Sequence, residues 1–406
     1  MDYQVKSIYG KIKNDRATVC VPGSKSVTVR ALLIAALANG RSTLYGAQVT
    51  GDCAEFIGGL RSMGINISVE DNIVTVDGCG GVLPVKDGAV YVGSAGTAAR
   101  FLTALAAMSE GQFIFDSSGQ MKRRPMGSLI NSLKNIGASF TFLGEENCFP
   151  FIVKGASSPA KKVTVDISQS SQYLSALLIS AVCARTPVEI TVEGDHGMEY
   201  VNMTCDMMWS FGVNVVQKGN KYIVFGGYEA KRYDIEPDIS AACYFYAMNK
   251  ILGTKISVLG VMPHTMQGDY AFIELLKDFD GGEADMSSFS DQALTLAAIA
   301  PYFSRPTTIK GVAHIRGQEC DRIKAIVLNL SALGVKVEEH EDGVTIYPSE
   351  PVGCALETYG DHRVAMAFAV TGLRCRGITI KDAGVCAKTF KNYFDVLDKL
   401  IGQLTE

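Results

Sequence analysis

A weak internal repeat constrains the fold of this chain more than any other feature. Each repeat has an Ala-rich apolar helix, a short strand, a polar loop, a second helix ending in Leu-Gly or a close variant, and one or two further strands. The apolar helices open six segments: "ALLIAALANGRSTLYGA", "RFLTALAAMSEGQFIFDS", "QYLSALLISAVCARTPVEITVEG", "AACYFYAMNKILGTKISVLG", "ALTLAAIAPYFSRPTTIKG" and "RVAMAFAVTGLRCRGITIKDAG". Because strands and helices alternate in each repeat, the sequence predicts an α/β protein.

The six repeats divide naturally into two sets of three. The polar stretch "YEAKRYDIEPDIS" separates the third repeat from the fourth, so we expect two similar domains, at 21–236 and 237–406. A chain of 406 residues is long enough for two such cores. Clefts between domains commonly hold ligands, and we expect the functional site there.

Composition excludes several classes of protein. The formal net charge is -4 and the basic residues are scattered, so nothing indicates a nucleic-acid or membrane face. The N-terminal stretch "MDYQVKSIYGKIKND" lacks the apolar run of a secretory signal, and apolar runs elsewhere are far shorter than a bilayer span. The 11 cysteines form no C-x-x-C pair, which favours free thiols in a reducing cytoplasm, and the 5 histidines lack metal-ligand spacing.

Polar residues recur in the loops that precede the apolar helices. These loops read "VPGSKSVTVR", "VGSAGTAAR", "DISQSSQ", "FSDQ" and "YGDHR". A helix start offers free backbone N–H groups and the positive end of the helix dipole, which suit an anion. The first loop lacks the glycine spacing of a nucleotide P-loop, and the second is not G-x-G-x-x-G. An ordinary capped helix and a tight strand-to-helix turn also account for these two loops.

The stretch "RGQECDRI" places charged residues ahead of an apolar run. At helical spacing, Glu319 and Arg322 extend the stripe formed by Ile323, Ile326 and Leu330, which predicts that both charges point inward. Inward charges need partners or a ligand, because burying them unpaired is costly. An internal salt bridge between Glu319 and Arg322, without any further role, is the alternative.

These loops together predict one pocket with many cations and few acids. Such a set suits a phosphorylated or carboxylated small molecule, with the acids serving proton transfer. The cations are Lys25, Arg30, Arg100, Arg124, Arg322, Arg363 and Lys388, and the titratable minority is Asp291, Glu319 and His362.

Seven motifs in register resemble the 5-enolpyruvylshikimate-3-phosphate synthase family. They are "PGSKS", "GSAGTAAR", "MKRRPMG", "SSQ", "ECDRI", "GDHR" and "AKTF", and they span nearly the whole chain. The resemblance implies two domains, each of three βαβαββ units, with the active site in the cleft between them. It also implies that the N-terminal segment 1–20 returns to the C-terminal domain.

The resemblance further implies an enzyme. The family transfers the enolpyruvyl group of phosphoenolpyruvate to the 5-hydroxyl of shikimate 3-phosphate, by addition and then elimination through a tetrahedral intermediate, and releases phosphate. The reaction belongs to the shikimate pathway of aromatic amino acid biosynthesis. The family needs no metal or organic cofactor, its partners are small molecules rather than nucleic acid or membrane, and a cytoplasmic monomer is the default.

The resemblance assigns roles to residues at matching positions. Shikimate 3-phosphate would be bound by Lys25, Ser26, Arg30, Ser170, Ser171, Gln172, Tyr200, Asp291, His314 and Gln318. Phosphoenolpyruvate would be bound by Lys25, Gly96, Arg124, Gln172, Arg322, Arg363 and Lys388. The catalytic roles fall to Asp291 as base, Glu319 as proton carrier at the enolpyruvyl carbon, and Lys25 and His362 as assistants.

Four positions depart from the family pattern. Ser94 stands where Asn is usual, Phe101 where Pro is frequent, and Gly197 where a serine binds phosphate. Gln318 stands where the family has Lys, less often His, so we expect weaker shikimate 3-phosphate binding. Because Gly96 is retained, we expect the pocket to admit glyphosate, a family inhibitor.

Two other functions remain as alternatives. The sister enolpyruvyl transferase that acts on UDP-N-acetylglucosamine shares the fold, but its lysine–asparagine start and its cysteine loop are absent from this sequence. A non-catalytic, anion-binding paralogue is the second alternative, and Gln318 and Gly197 favour it.

Overall fold

The structure is a computed structural model that describes residues 1–124 and 126–406. These residues form two compact units. We call Gly23–Glu236 the inserted unit, because it interrupts the other, and Met1–Pro22 with Pro237–Glu406 the terminal unit.

The α-helices of the described residues are α1 (Lys25–Leu37), α2 (Asp52–Ser62), α3 (Gly96–Ala107), α4 (Gly119–Lys122), α5 (Gly127–Ile136), α6 (Gln172–Ser180), α7 (Met198–Ser210), α8 (Ile239–Leu252), α9 (Tyr270–Asp278), α10 (Ala293–Ile299), α11 (Arg322–Ala332), α12 (His362–Arg374) and α13 (Tyr393–Thr405). Short 3-10 helices lie at Ala181–Ala184, Ser290–Gln292, Ala300–Tyr302, Ala313–Gly317 and Ala383–Lys388.

The strands are β1 (Tyr3–Gln4), β2 (Arg16–Val19), β3 (Asn39–Tyr45), β4 (Asn66–Glu70), β5 (Ile73–Cys79), β6 (Asp87–Tyr91), β7 (Gln112–Asp116), β8 (Ser139–Phe142), β9 (Phe151–Lys154), β10 (Lys162–Asp166), β11 (Val188–Glu193), β12 (Asn214–Lys218), β13 (Lys221–Phe225), β14 (Arg232–Asp234), β15 (Lys255–Val258), β16 (Gly282–Asp285), β17 (Thr307–Lys310), β18 (Val337–His340), β19 (Gly343–Ile346), β20 (Ala355–Leu356) and β21 (Thr379–Ile380).

The described residues of the inserted unit form three four-stranded sheets of one design. In the second, β6 runs parallel to β7, β7 pairs antiparallel with β9, and β9 with β8. The third repeats this order as β10-β11-β13-β12. The first takes its opening strand from the far end of the unit, where β14 pairs parallel with β3. Each sheet with its helices is therefore a βαβαββ unit, as expected.

The terminal unit repeats this design completely only in β16-β17-β19-β18. The other two sheets are smaller, and both include a strand from the first residues of the chain. Strand β2 pairs parallel with β15, and β1 pairs antiparallel with β21, which also pairs with β20. The fourth and sixth repeats therefore have shorter sheets, in keeping with their shorter sequences.

The first helix of each repeat lies at the centre of its unit. All of α1 after Ser26 is buried, and so is all of α12 before Arg374. A helix that is apolar on every side must be covered on every side, which the outer sheets and second helices achieve. Among the described residues, every helix is too short or too polar to cross a lipid bilayer.

Candidate active site

In the inserted unit the three central helices begin at candidate residues. Helix α1 begins at Lys25, α3 at Gly96 and α6 at Gln172. The Ser24 hydroxyl caps α1 by accepting a hydrogen bond from the Val27 N–H at 3.4 Å. The first N–H groups of a helix lack an acceptor within the helix, so those that no cap takes up can serve an anion.

Arg30 is a buried cation that lacks a carboxylate partner among the described residues. Its side chain donates to the Thr204 hydroxyl at 2.8 Å and to the backbone oxygens of Ser26 and Tyr200 at 3.0 and 3.2 Å. The guanidinium also lies 5.5 Å from the ring centre of Phe101. Burial lowers the pKa of Arg30 to about 10. A buried positive charge held by neutral groups favours an incoming anion.

Further polar groups lie at the starts of α1 and α6. Lys25 pairs with Asp52 at 3.4 Å. The Ser170 hydroxyl accepts from the Gln172 N–H at 3.3 Å, and the Gln172 side-chain oxygen is buried with no hydrogen-bond partner among the described residues. A buried carbonyl without a partner is costly, so a ligand that donates to it would be stabilised.

Gly96 lies against two guanidinium groups. A Cβ atom there would be 2.6 Å from Nη1 of Arg100 and 2.7 Å from Nη1 of Arg124. Arg100 in turn donates to the Gly96 carbonyl at 3.0 Å. The absence of a side chain at this glycine is therefore what lets both cations approach the start of α3.

The departures in this unit have distinct surroundings. Gly197 has φ of +65°, and a Cβ atom there would lie 2.6 Å from Oγ of Ser171. The Ser94 hydroxyl lies 2.7 Å from that of Ser118, which caps α4. Phe101 is fully buried and makes an edge contact with Phe56. Gly197 therefore makes room for a neighbour that is itself a predicted ligand of phosphate.

In the terminal unit, Arg322 is held by three carboxylates at once. It donates to Asp361 and Glu319 at 2.8 Å and to Asp291 at 2.9 Å, and its side chain is only 2% exposed. Burial alone would lower the pKa of Arg322, but the three carboxylates outweigh it and hold the pKa above its ordinary value. Arg322 is therefore charged at any physiological pH.

Two further cations pair with the same carboxylates. Arg363 donates to Asp291 at 2.8 Å, and Lys388 donates to Glu319 at 2.9 Å. Asp291 and Glu319 thus each bridge two cations, one of which is Arg322. We call these side chains the charge network: Arg322, Arg363 and Lys388 with Asp291, Glu319 and Asp361.

One prediction about the charged stretch is wrong in detail. Helix α11 begins at Arg322, so Glu319 precedes the helix and does not lie on its stripe. The reason is the Asp321 side chain, which caps the helix by accepting from the Lys324 N–H at 3.0 Å and pairs with Arg316. Glu319 is nevertheless almost buried, because its carboxylate pairs with Arg322 and Lys388.

The remaining predicted residues lie around this network. Nε2 of His314 is 2.8 Å from the Ser290 hydroxyl, next to Asp291. His362 is 2% exposed, with Nδ1 at 3.6 Å from Asp361. Gln318 is half-buried in the turn before α11. Gln318 is the direct chain neighbour of Glu319, and His314 reaches Ser290, the direct chain neighbour of Asp291.

The network is electrically balanced among the described residues. Three cations meet three carboxylates, so an incoming anion would meet no net positive charge. An anion that binds to these cations competes with the carboxylates for them. A carboxylate that loses a cation and gains an anionic neighbour takes up a proton more readily.

Sequence reasoning missed three residues that support the site. Asp361 lies within the motif "YGDHR" and is the fully buried partner of Arg322. Thr204 accepts from Arg30 from a position in the middle of α7. Asp269 precedes α9 and accepts a hydrogen bond from Gln292 at 2.9 Å. For Asp361 the available signal was an Asp at a helix start, whereas the other two lie outside the loops that carry the motifs.

The fold and the site together define a class. This is a two-unit α/β protein in which cations lie at the first turns of helices, as Lys25 does in α1 and Arg322 in α11, and carboxylates pair with the cations of the terminal unit. In the described part of the chain, no group of three or more His, Cys, Asp or Glu side chains could hold a metal ion.

The comparisons with known proteins then give the family. The sequence model described as EPSP synthase (3-phosphoshikimate 1-carboxyvinyltransferase) matches residues 10–282 and 276–397. A 3-phosphoshikimate 1-carboxyvinyltransferase from Trichormus variabilis is 42% identical over 95% of this chain and 97% of its own. A 3-phosphoshikimate 1-carboxyvinyltransferase 2 from Halalkalibacterium halodurans is 38% identical over 94% and 91%. The chain therefore belongs to the EPSP synthase family.

The fold is shared with a solved structure as well. An EPSP synthase from Acinetobacter baumannii superposes with a TM-score of 0.82 over 98% of this chain and 97% of its own, at 23% identity. The prediction of the family and of its fold is confirmed.

Proposed function

We propose that the chain transfers the enolpyruvyl group of phosphoenolpyruvate to the 5-hydroxyl of shikimate 3-phosphate and releases phosphate. The observation that carries this function is the pairing of Asp291 and Glu319 with the cations Arg322, Arg363 and Lys388. Those cations can pair with an anionic substrate in place of the carboxylates, and the two carboxylates can then serve as base and acid. The family membership supports the same reaction.

The proton steps follow from the roles proposed for two carboxylates. Asp291 takes the proton of the 5-hydroxyl as its oxygen attacks the enol carbon, and Glu319 delivers a proton to the methylene carbon. The product is a tetrahedral intermediate that carries a methyl group and the phosphate. Loss of one methyl proton and expulsion of phosphate regenerate the enol double bond. Lys25 and His362 assist, because proton transfer in such a cluster is shared among groups that titrate together.

The anion ligands complete the proposal. Arg30, Ser171 and Gln172 would bind shikimate 3-phosphate. Arg30 is buried and has no carboxylate partner in the part of the chain that the structure describes, which supports this role. The full set for this substrate is Lys25, Ser26, Arg30, Ser170, Ser171, Gln172, Tyr200, Asp291, His314 and Gln318. The phosphoenolpyruvate set is Lys25, Gly96, Arg124, Gln172, Arg322, Arg363 and Lys388. We retain a cytoplasmic monomer as the expected state of the enzyme.

A single assay tests the function. Phosphate released from phosphoenolpyruvate is measured with shikimate 3-phosphate, with UDP-N-acetylglucosamine, or with neither. We expect release only with shikimate 3-phosphate. Release only with the nucleotide sugar would identify the sister transferase, and release with neither acceptor would identify the inert paralogue.

A matched pair of variants ties the reaction to the network. Asp291→Asn removes the proposed base and should lower kcat at least a hundredfold. Asp278→Asn makes the same change at an exposed position at the end of α9 and should leave kcat unchanged. Equal activity of the two variants would remove Asp291 from the mechanism.

A further inference from the structure

A buried carboxylate outside the proposed substrate ligands lies where three central helices begin. Asp269 is 5% exposed, and no ion pair to its side chain forms within the described chain. Its Oδ2 accepts from the Ser240 hydroxyl, in the first turn of α8, and from the Gln292 amide at 2.9 Å, immediately before α10. Placing a carboxylate in a core without a cation is costly, so its presence calls for a role.

Hydrogen bonds lead from this carboxylate to the charge network. The Ser240 hydroxyl, which donates to Asp269, accepts from Nη2 of Arg363 at 3.4 Å. The same Nη2 donates to Asp291 at 2.8 Å. Gln292 is the direct chain neighbour of Asp291 and is itself fully buried. Asp269 therefore contacts both the residue that orients Arg363 and the residue that fixes the backbone beside Asp291.

We propose that Asp269 is a positioning residue, which fixes the first turns of α8, α10 and α12 and sets how readily Asp291 takes up a proton. The inference rests on the proposed function, in which Asp291 is the base. The physical cause of the effect on Asp291 is repulsion between two carboxylates in a poorly solvated region, which favours the protonated form of either one. A base whose proton affinity is raised accepts the hydroxyl proton more readily.

Other groups around the pair act in both directions. Burial, and next the charge of Asp291, raise the pKa of Asp269 to about 6, while Arg363 and the hydrogen bonds from Ser240 and Gln292 oppose the rise. The charged and titratable groups that face the two carboxylates are Asp238 and Cys243 at α8, Glu319 and Arg322 at α11, Asp361 and Arg363 at α12, and His314 beside Ser290.

The first test is the pH profile of kcat/KM for shikimate 3-phosphate, followed by phosphate release. In wild type Asp269 ionises near pH 6, and its charge then makes Asp291 the stronger base. The acid limb should therefore lie near that pH, and it should move to lower pH in Asp269→Asn, where the charge is absent. Asp278→Asn removes an exposed carboxylate from the same helix region and should leave the limb in place. An active Asp269→Asn enzyme whose limb does not move would overturn the inference.

A second variant tests only the hydrogen bonds by which Asp269 positions Arg363 through Ser240. Ser240→Ala breaks the link between Asp269 and Arg363, so KM for phosphoenolpyruvate should rise at least threefold while the protein stays folded. An unchanged KM would contradict the route through Ser240. This variant also decides the positioning role if Asp269→Asn does not fold.

A stability measurement separates failure of this inference from failure of the function. With a pKa near 6 in the folded protein and near 3.8 when unfolded, Asp269 holds more proton in the folded state between these values. Wild-type stability therefore falls, relative to Asp269→Asn, as pH rises from about 4 to about 7. The Tm of Asp269→Asn should therefore exceed that of wild type by a margin that grows across this pH range. The margin should grow less when Asp291→Asn is also present, because the charge that raises the pKa of Asp269 is then missing.

The outcomes are distinct. If wild type releases no phosphate, the proposed function fails. The Tm differences with and without Asp291→Asn still show whether the two carboxylates repel each other. If wild type is active but Asp269→Asn changes neither the acid limb of the pH profile nor the pH dependence of Tm, the inference fails and the function stands.

Discussion

A methyl group added at Gly197 should weaken phosphate binding as well as the fold, and a matched glycine elsewhere separates the two effects. Gly197 has φ of +65°, a left-handed conformation that costs a residue with a Cβ about 1–2 kcal/mol. The added Cβ would also lie 2.6 Å from Oγ of Ser171. The hydroxyl must then move by roughly 0.8 Å to reach ordinary van der Waals contact, and Ser171 leaves the position from which it would bind the 3-phosphate.

The size of the effect follows from the lost contact. A hydrogen bond to a charged phosphate contributes about 1.5–3 kcal/mol, which corresponds to a Kd for shikimate 3-phosphate about 10- to 100-fold higher in Gly197→Ala. Gly219→Ala is the matched control: its φ of +59° gives the same strain, but no atom lies within 4 Å of the added Cβ. Both variants should lose about 1–2 kcal/mol of unfolding free energy in urea.

Calorimetric titration of shikimate 3-phosphate into both variants isolates the contribution of Ser171. Gly219→Ala should bind like wild type. Equal affinities of the two variants would show that displacing the Ser171 hydroxyl does not matter. Gly197→Ser tests the family pattern directly: its Cβ meets the same hydroxyl, so the family's serine should fail to strengthen binding in this chain.

Three further changes have clear expected outcomes. Gln318→Lys adds a charge at a half-buried position, so the Kd for shikimate 3-phosphate should fall about three- to tenfold, and an unchanged Kd would mean that the site compensates elsewhere. Glyphosate should inhibit wild type, and Gly96→Ala, whose Cβ presses on two guanidinium groups, should raise both KM for phosphoenolpyruvate and the inhibitory concentration; a flat inhibition curve for wild type would contradict this. Asp361→Asn leaves the buried Arg322 short of a carboxylate and should lose about 3–5 kcal/mol of unfolding free energy in urea, against less than about 0.5 kcal/mol for the exposed Asp278→Asn.

Local patterns in the sequence were enough to locate the central helices. Each is a run of apolar residues behind a polar loop, and such signals act over a few residues. The helix starts at Lys25 and Gln172 coincide with predicted ligands because a helix start is itself the feature that binds anions. Resemblance then supplied the family, which no single motif could have supplied.

The partners of the buried charges could not be predicted in this way. Arg322 pairs with Asp361, which is 39 residues away, and Arg363 with Asp291, which is 72 residues away. Which acid meets which cation depends on how the repeats pack, and repeats separated along the chain give no local signal of it. The same holds for β14, which completes the first sheet from the far end of its unit. Asp269 was missed because its turn carries none of the recurring motifs, and its partners Ser240 and Gln292 lie 29 and 23 residues away in the chain.

The two units treat their buried cations differently, and the difference bears on mechanism. Arg30 is held by a hydroxyl and backbone oxygens, none of which titrates, so an anion that binds there need not change any proton count. Arg322 is held by carboxylates, so an anion that replaces them favours their protonation. Under the proposed function, binding at the charge network would itself load a proton onto Glu319 or Asp291. Proton supply would then depend on the presence of substrate, which suits a reaction that begins by protonating carbon.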